Sequence, residues 1–451
     1  MKAINIKTEP YYFKSILSCD VYKAVNEHFK VKISGYITKE IEKNIRFFKS
    51  NDQLAIYAEE EGKEQSFFRG RVYNFKIRET RNTYILTINA ESNTAWLDEK
   101  KHIRTFQNPD YTYRDIVKLL LKNTVKTSVI YFAGQKKKTE GLTVQYNETD
   151  WMFLKRMAAR IHTVLVPDCT NNSTCFYFGI PIKDREATEW SGDFEVIIGC
   201  SAIKENIIEY CIVSREIWEL CTPVIVQGKE LLVYQARGNI QNGEMVWIYR
   251  LREKGDFEPG EVWNYDIIGA SLYGEVINVK RDLVMLEINC ENDYSDGTGM
   301  WFPYATIYTS SDGNGWYFMP DCGERVRLSF PDEKEKNAYV SSAVYIEDKT
   351  GEKNDPAVKF IRTAQGKELR IAPNYILITN NRGMSICLDD EKGIEIKSTK
   401  SIELMSEEGI SISSDGSIKI GSENGILLKQ EENAIVVRNG VSVHGLRIRL
   451  Q

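Results

Sequence analysis

The chain is poor in the residues from which most catalytic and metal centres are built. Among its 451 residues are four histidines, His28, His102, His162 and His444, far apart and outside any H-E-x-x-H spacing. Each reads as an ordinary strand, loop or helix-end residue. Nine cysteines (Cys19, Cys169, Cys175, Cys200, Cys211, Cys221, Cys290, Cys322, Cys387) form no C-x-x-C pair. A scattered, odd set fits reduced thiols, mostly small buried hydrophobes, rather than a disulfide framework. Cys169-x5-Cys175 reads as a hairpin tip, because no second ligand pair accompanies it. No run of about 18 apolar residues occurs. The start, MKAINIKTEP, lacks the apolar segment of a signal peptide. The expectation is therefore a chain made and folded in the cytoplasm. A net charge of -5 argues against broad binding to nucleic acid or anionic membrane. Hydrophobic content of 42% with Gly 30 and Pro 11 fits a folded protein, neither collagen-like nor disordered.

Loops that invite a chemical reading also lack its essentials. The acidic stretch from Glu291 to Gly299 has neither the oxygen spacing nor the terminal Glu of a calcium loop. Gly297-x-Gly299 does not open a helix after a strand, so no nucleotide fingerprint follows. Lys136-Lys-Lys138 is an exposed turn. With no base, nucleophile and electrophile in sight, the reading is no enzyme, no cofactor and no metal.

What is present is an eight-residue beat. Ile394, Ile402, Ile410, Ile418 and Ile426 recur at intervals of eight, each with an apolar partner two residues on: Ile396, Leu404, Ile412, Ile420, Leu428. An apolar pair at i and i+2 shares one side of a strand. Gly393, Ser398, Gly409, Asp415-Gly416 and Asn424-Gly425 supply the turns. One unit buries too little to offset the ordering of eight residues, roughly 1–2 kcal/mol each. The units must stack and find further faces. Either one chain wraps three units per coil, or three chains wind about a common axis; the period alone does not choose.

Upstream, residues 1 to about 110 read as short alternating strands (Phe29/Val31/Ile33, Leu54/Ile56, Val72 through Ile77, Tyr84/Leu86/Ile88), a barrel or sandwich. A helix near 112–122 has Thr112 as N-cap, Asp115 in its first turn and Tyr113, Ile116 and Leu120 as its buried stripe. A second near 149–162 is capped by Thr149, with Trp151, Leu154, Ala158 and Ile161 inward. Lys155, Arg156 and Arg160 leave that stripe and read as a solvated face. Strands resume from Leu165 to about Tyr234. A polar connector, Gln235-Ala-Arg-Gly-Asn, leads to a block from about 240 to 346 whose strands (Val246/Ile248, Val276/Val279, Val284/Leu286/Ile288, Val326/Leu328/Phe330) suggest an OB-type barrel. A neck follows, then the repeat.

Four features in this order resemble one family. Val144-Gln-Tyr-Asn-Glu-Thr-Asp-Trp-Met-Phe-Leu-Lys-Arg156 is similar to the Q-Y-x-E-[TS]-D-x-x-F-x-x-R signature of the VgrG-type spike proteins of contractile injection systems, found in type VI secretion and in phage tails. Trp316 to Phe330 resembles the P-x-x-G-[DE]-x-V-x-V-x-F strand of the family's OB domain, and the octads resemble its triple-stranded β-helix. The resemblance covers essentially the whole chain and implies a mainly β protein. A hub of two β-barrels with a helical insertion would occupy 1–235, an OB barrel 236–346, a neck 347–370, and an intertwined homotrimeric needle 371–451. It tips the repeat toward the three-chain arrangement, with the ten apolar octad residues as trimer core. It implies partners as well: the inner tail tube and baseplate at the hub, a PAAR-like tip protein at the far end, and a non-covalent effector, but no nucleic acid.

The departures are informative. The neck is too short for the lysozyme domain of some phage relatives. The chain stops at Gln451, soon after Leu446/Ile448/Leu450, leaving no fused effector. His444 stands alone where short phage spikes place an iron-binding H-x-H pair. A receptor-binding fibre is disfavoured because residues 371–451 contain one aromatic, Tyr375. A peptidoglycan hydrolase would need a hub carboxylate pair. Glu148, Asp150 and Arg156 in the signature are candidates for a subunit or tube contact, against the simpler reading that they cap the helix and satisfy local donors.

Overall fold

The computed structural model describes residues 5–45, 49, 52–60, 63–81, 83–122, 124, 126–181, 186–199, 207–288, 290, 298–343 and 355–447. The acidic stretch at 291–297, Cys200, the first part of the neck (347–354) and Ile448/Leu450 lie outside them. The chain divides into two units, Met1–Glu347 and Asp348–Gln451. No helix is long and apolar enough to cross a membrane.

Unit 1 is built on one long sheet. Its path runs through Asn5–Glu9, Gln53–Glu60, Lys63–Thr80, Thr83–Ser92, Lys30–Ile37, Ser15–Ala24, Lys229–Gln241, Glu244–Arg252, Ile207–Ser214 and Phe194–Gly199. The two strand-rich halves of the hub meet where Ser15–Ala24 pairs with Lys229–Gln241, in register Gln235↔Ala24 to Asn239↔Asp20. One apolar core runs beneath both halves, from Val21, Ile33 and Phe68 to Val233, Trp247 and Leu251.

This overturns the expected connector. Gln235 to Asn239 is an interior strand paired on both sides, and the strand carrying Val246 and Ile248 belongs to the hub. The polar letters misled because alternate side chains leave the core. Gly238 is needed there, since a Cβ would lie 2.4 Å from Met245 and 2.8 Å from Trp247. The OB barrel therefore begins at Ser271, not near 240. Its strands are ordered Met300–Pro303, Leu283–Ile288, Ser271–Lys280, Arg325–Ser329, Tyr339–Ala343, and a Tyr304↔Val340 bridge joins the two ends.

Among the described residues, three α-helices decorate the hub. α1 (Lys39–Ile45) had no sequence forecast, being barely two turns long. α2 (Tyr113–Leu121) carries a full capping box: the Asp115 N–H donates to the Thr112 hydroxyl, and the Thr112 N–H donates to the Asp115 carboxylate at 3.0 Å. Thr112→Ala should cost about 1 kcal/mol, checked as earlier opening of α2 in hydrogen exchange. α3 (Asp150–Ala159) is capped by Thr149. The two helices share a second core with Phe106, Phe176 and Phe178.

Unit 2 starts as an antiparallel meander of five strands: Lys359–Arg362, Glu368–Ala372, Tyr375–Thr379, Ser385–Asp389 and Gly393–Lys397. Residues 398–425 form no strand. Three more strands, Ile426–Gln430, Asn433–Val437 and Val441–His444, end the described segment.

Candidate functional site

Two features concentrate the chemistry of this chain: a buried ionic junction in unit 1 and an uncovered apolar face in unit 2.

The junction is made by the signature segment. Its strand, Thr143–Thr149, pairs with Lys101–Phe106, and the ribbon presents Leu142 and Val144 to the OB core. Val144 to Arg156 then turns into α3. Arg156, expected on a solvated face, is 1% exposed. Its guanidinium donates to Glu148 through Nε (2.9 Å) and Nη2 (2.7 Å), to the Val144 carbonyl (2.6 Å), and to Glu335 of the OB barrel (3.0 Å). Arg160 reaches the same Glu335 at 2.5 and 2.7 Å. Helical spacing puts Arg156 off the apolar stripe, but the partners that draw it inward are a strand residue and a residue 179 positions away. Burial alone would lower the Arg156 pKa; the hydrogen bonds and charges of Glu148 and Glu335 outweigh it and raise the value. Arg160 moves the other way, through burial and the like charge of Arg156.

The remaining signature residues complete the lock. Asp150 accepts from Arg104 (2.6 Å) and from the Gln145 amide (3.0 Å), and Gln145 also accepts from Arg104. Phe153 stacks on Phe106 at 5.6 Å. Sequence reasoning missed Gln107. Its buried side-chain amide accepts from Ile288 N–H and donates to Ile288 C=O, both at 3.1 Å, substituting for a strand partner on the OB barrel. Glu148, Asp150 and Arg156, candidates for an outward contact, thus sit inside unit 1 with their polar groups engaged within the chain. The local-satisfaction reading is the one their geometry supports. Isolated buried ion pairs often add little net stability, yet removing one partner is costly.

The four histidines are not brought together. His28 bonds Asp98 (2.8 Å) and Thr94 (2.9 Å), a triad-like row whose hydroxyl is fully buried and out of reach of any substrate. Cys169 and Cys175 flank a hairpin between Leu165–Asp168 and Thr174–Phe178, and burial pushes the Cys175 thiol up to about 11. Among the described residues, no three His, Cys, Asp or Glu side chains cluster as a metal site.

The second feature begins in the meander. Opposed pairs Leu369↔Ile378, Ile371↔Ile376, Ile376↔Leu388, Ile378↔Ile386, Leu388↔Ile394 and Ile386↔Ile396 put one continuous apolar face across four strands. Those side chains are 36–74% exposed. The octad residues Ile402, Leu404, Ile410, Ile412, Ile418, Ile420 and Leu428 are exposed too, and Ile426 is half-buried. Glu368 anchors the start, accepting from Arg362 (2.7 Å), Arg370 (2.5 Å) and Asn381 (3.3 Å). Desolvation alone would raise its pKa, but the arginine and asparagine hydrogen bonds win and hold the carboxyl near about 2. A depressed carboxyl stabilises the fold above its unfolded pKa near 4.5 and loses that contribution as pH falls toward 2. Acid titration of Glu368→Gln should lack this part of the pH 4.5-to-2 destabilisation of unit 2, read by hydrogen exchange at residues 368–379.

The chain thus joins a long sheet, an OB barrel locked to it and an octad segment. Residues 47–161 match the family model of the phage tail baseplate hub (GPD). No curated protein matches the sequence. Among solved structures, the fold is similar to that of the Escherichia coli c3393 protein, a component of the type VI secretion system (TM-score 0.54, 12% identity, 76% of this chain and all of that one). It is also similar to a chain of the half-lidded Francisella PdpA–VgrG complex (TM-score 0.56, 12% identity, 88% of each chain) and of its lidless form (TM-score 0.57, 12% identity, 88% of this chain and 99% of that one). At such identity the likeness is one of fold: this chain has the VgrG-type hub-and-spike fold.

Proposed function

We propose that the chain is the hub and spike of a contractile injection system, working as a homotrimer and mechanically rather than as an enzyme. The observation that carries this is the apolar face of unit 2, which a single chain leaves in water. At roughly 25 cal/mol per Å2, covering it is a large driving force, and patches of this extent are rare on monomers. Three copies supply each other's missing faces, so that Ile394 to Leu428 become a dry axis. Residues 398–425, which form no strand within one chain, find their ladder partners between chains. The long hub sheet ends at Asn5–Glu9 and Phe194–Gly199, each paired on one side among the described residues; such open edges suit pairing between copies.

In this reading the hub meets the inner tube and baseplate. The OB barrel forms a collar, and the needle carries a PAAR-like tip protein or a passenger effector. The complexes of VgrG with PdpA lend weight to a protein partner. The particle would assemble in the cytoplasm and leave it on contraction. About ten strand levels at roughly 4.8 Å give a needle of about 45–50 Å. Light scattering should report three times 51.9 kDa at micromolar concentration; a well-folded single copy would end the proposal.

A further inference from the structure

Unit 1 exposes two largely apolar surfaces, one of them bordering the hub–OB lock at Glu148. One is convex. Residues 300–320 contain a single charged side chain, Asp312, and it is engaged at the tip of a hairpin, accepting from Ser310 and, at 2.8 Å, from Asn314. Trp316 N–H donates to Tyr308 C=O and Ser310 N–H to Asn314 C=O, both 2.9 Å. Gly315, at φ +146°, permits the close return, because a Cβ would stand 2.4 Å from the Tyr308 carbonyl. This ordered hairpin holds Ile307 (89% exposed), Tyr308, Trp316, Tyr317 and Phe318 in solvent. The other surface is concave: a groove of about 460 Å3 whose apolar lining is Met152, Pro259, Val262, Trp263 and Tyr265, with Glu148, Lys155 and Asp266 on its wall.

The two surfaces sit at opposite ends of the strand Ser271–Lys280. Tyr317 donates to the Arg281 carbonyl (2.9 Å) just beyond its C-terminal end, while the groove's Tyr265 precedes its start. Ten residues of strand separate them by about 30 Å, so the hairpin cannot fill its own groove. A ring of identical subunits needs two different, complementary patches on every copy, since each contact is heterologous. A hairpin without lysine or arginine is unsuited to phosphate-rich partners, and an uncharged aromatic knob fits an apolar cleft.

We propose that the hairpin of one copy seats in the Trp263 groove of the next, closing a ring of OB barrels. The inference rests on the three-copy reading above. The shared needle holds the copies at high effective concentration, so the contact need not be stable by itself.

Hydroxyl-radical footprinting of the full chain tests it, with light scattering run on the same sample. Trp316, Phe318, Met152 and Tyr265 should label several-fold less in the wild type than in the single-copy Ile410→Asp chain. In Trp316→Ser/Phe318→Ser, three copies should persist while labelling of Met152 and Tyr265 rises. A three-copy particle whose hairpin and groove label as fast as those of the single copy overturns the ring and leaves the needle standing. A wild type that scatters as one copy overturns both.

Discussion

Ile410→Asp should convert the assembly from three copies to one. In the proposed trimeric needle this side chain would face the axis, so one codon change would place three carboxylates in a dry column. Burying an unpaired carboxylate costs many kcal/mol, and the chain escapes by leaving the needle open or protonating the group. A control is built into the sequence: all eight tryptophans lie at or before Trp316. Tryptophan fluorescence therefore reports unit 1 alone and should keep the emission of a folded domain, moving only as Trp316 and Trp263 are uncovered, while scattering falls to one-third of the mass. A three-copy particle with wild-type thermal stability would remove the octad isoleucines from the proposed core. Mild acidification should partly restore assembly by neutralising the new carboxylates, an effect that Ile410→Asn should not show.

Arg156→Ala should have the largest effect within unit 1. It leaves Glu148 and one bond of Glu335 without their cation, both carboxylates being buried. Breaking a buried pair from one side costs about 3–5 kcal/mol. The loss should appear first as faster hydrogen exchange in 143–149 and at Ile288, the strand and the residue that join hub to OB barrel. Copy number should not change. Arg156→Met combined with Glu148→Gln should recover much of the stability, because Glu335 keeps Arg160 as its cation and no buried charge is then left unpaired. If Arg156→Ala melts with the wild type, the junction is not what couples the domains.

Local signals were readable wherever the determinant was local. Thr112 with Asp115, and Thr149 with α3, cap their helices as their spacing implies, and the stripes Tyr113/Ile116/Leu120 and Trp151/Leu154/Ala158 are buried. The OB strands from Val276 onward follow their alternation. Distant pairing was not readable. Gln235 to Asn239 looked like a linker because its polar side chains gave no hint of the two strands that flank it. Arg156 looked solvated because Glu335 approaches from another domain, and nothing near Gln107 announces that its amide completes the edge of a barrel.

The chain by itself determined the octad rhythm, the caps and the apolar stripes, since each depends on residues a few positions apart. Tertiary structure decided that the two strand-rich halves of the hub share one sheet and one core, where the OB barrel starts, and that the signature charges turn inward. Those outcomes depend on groups brought together across tens to hundreds of residues, and a buried charge is tolerable only where its partner has also arrived.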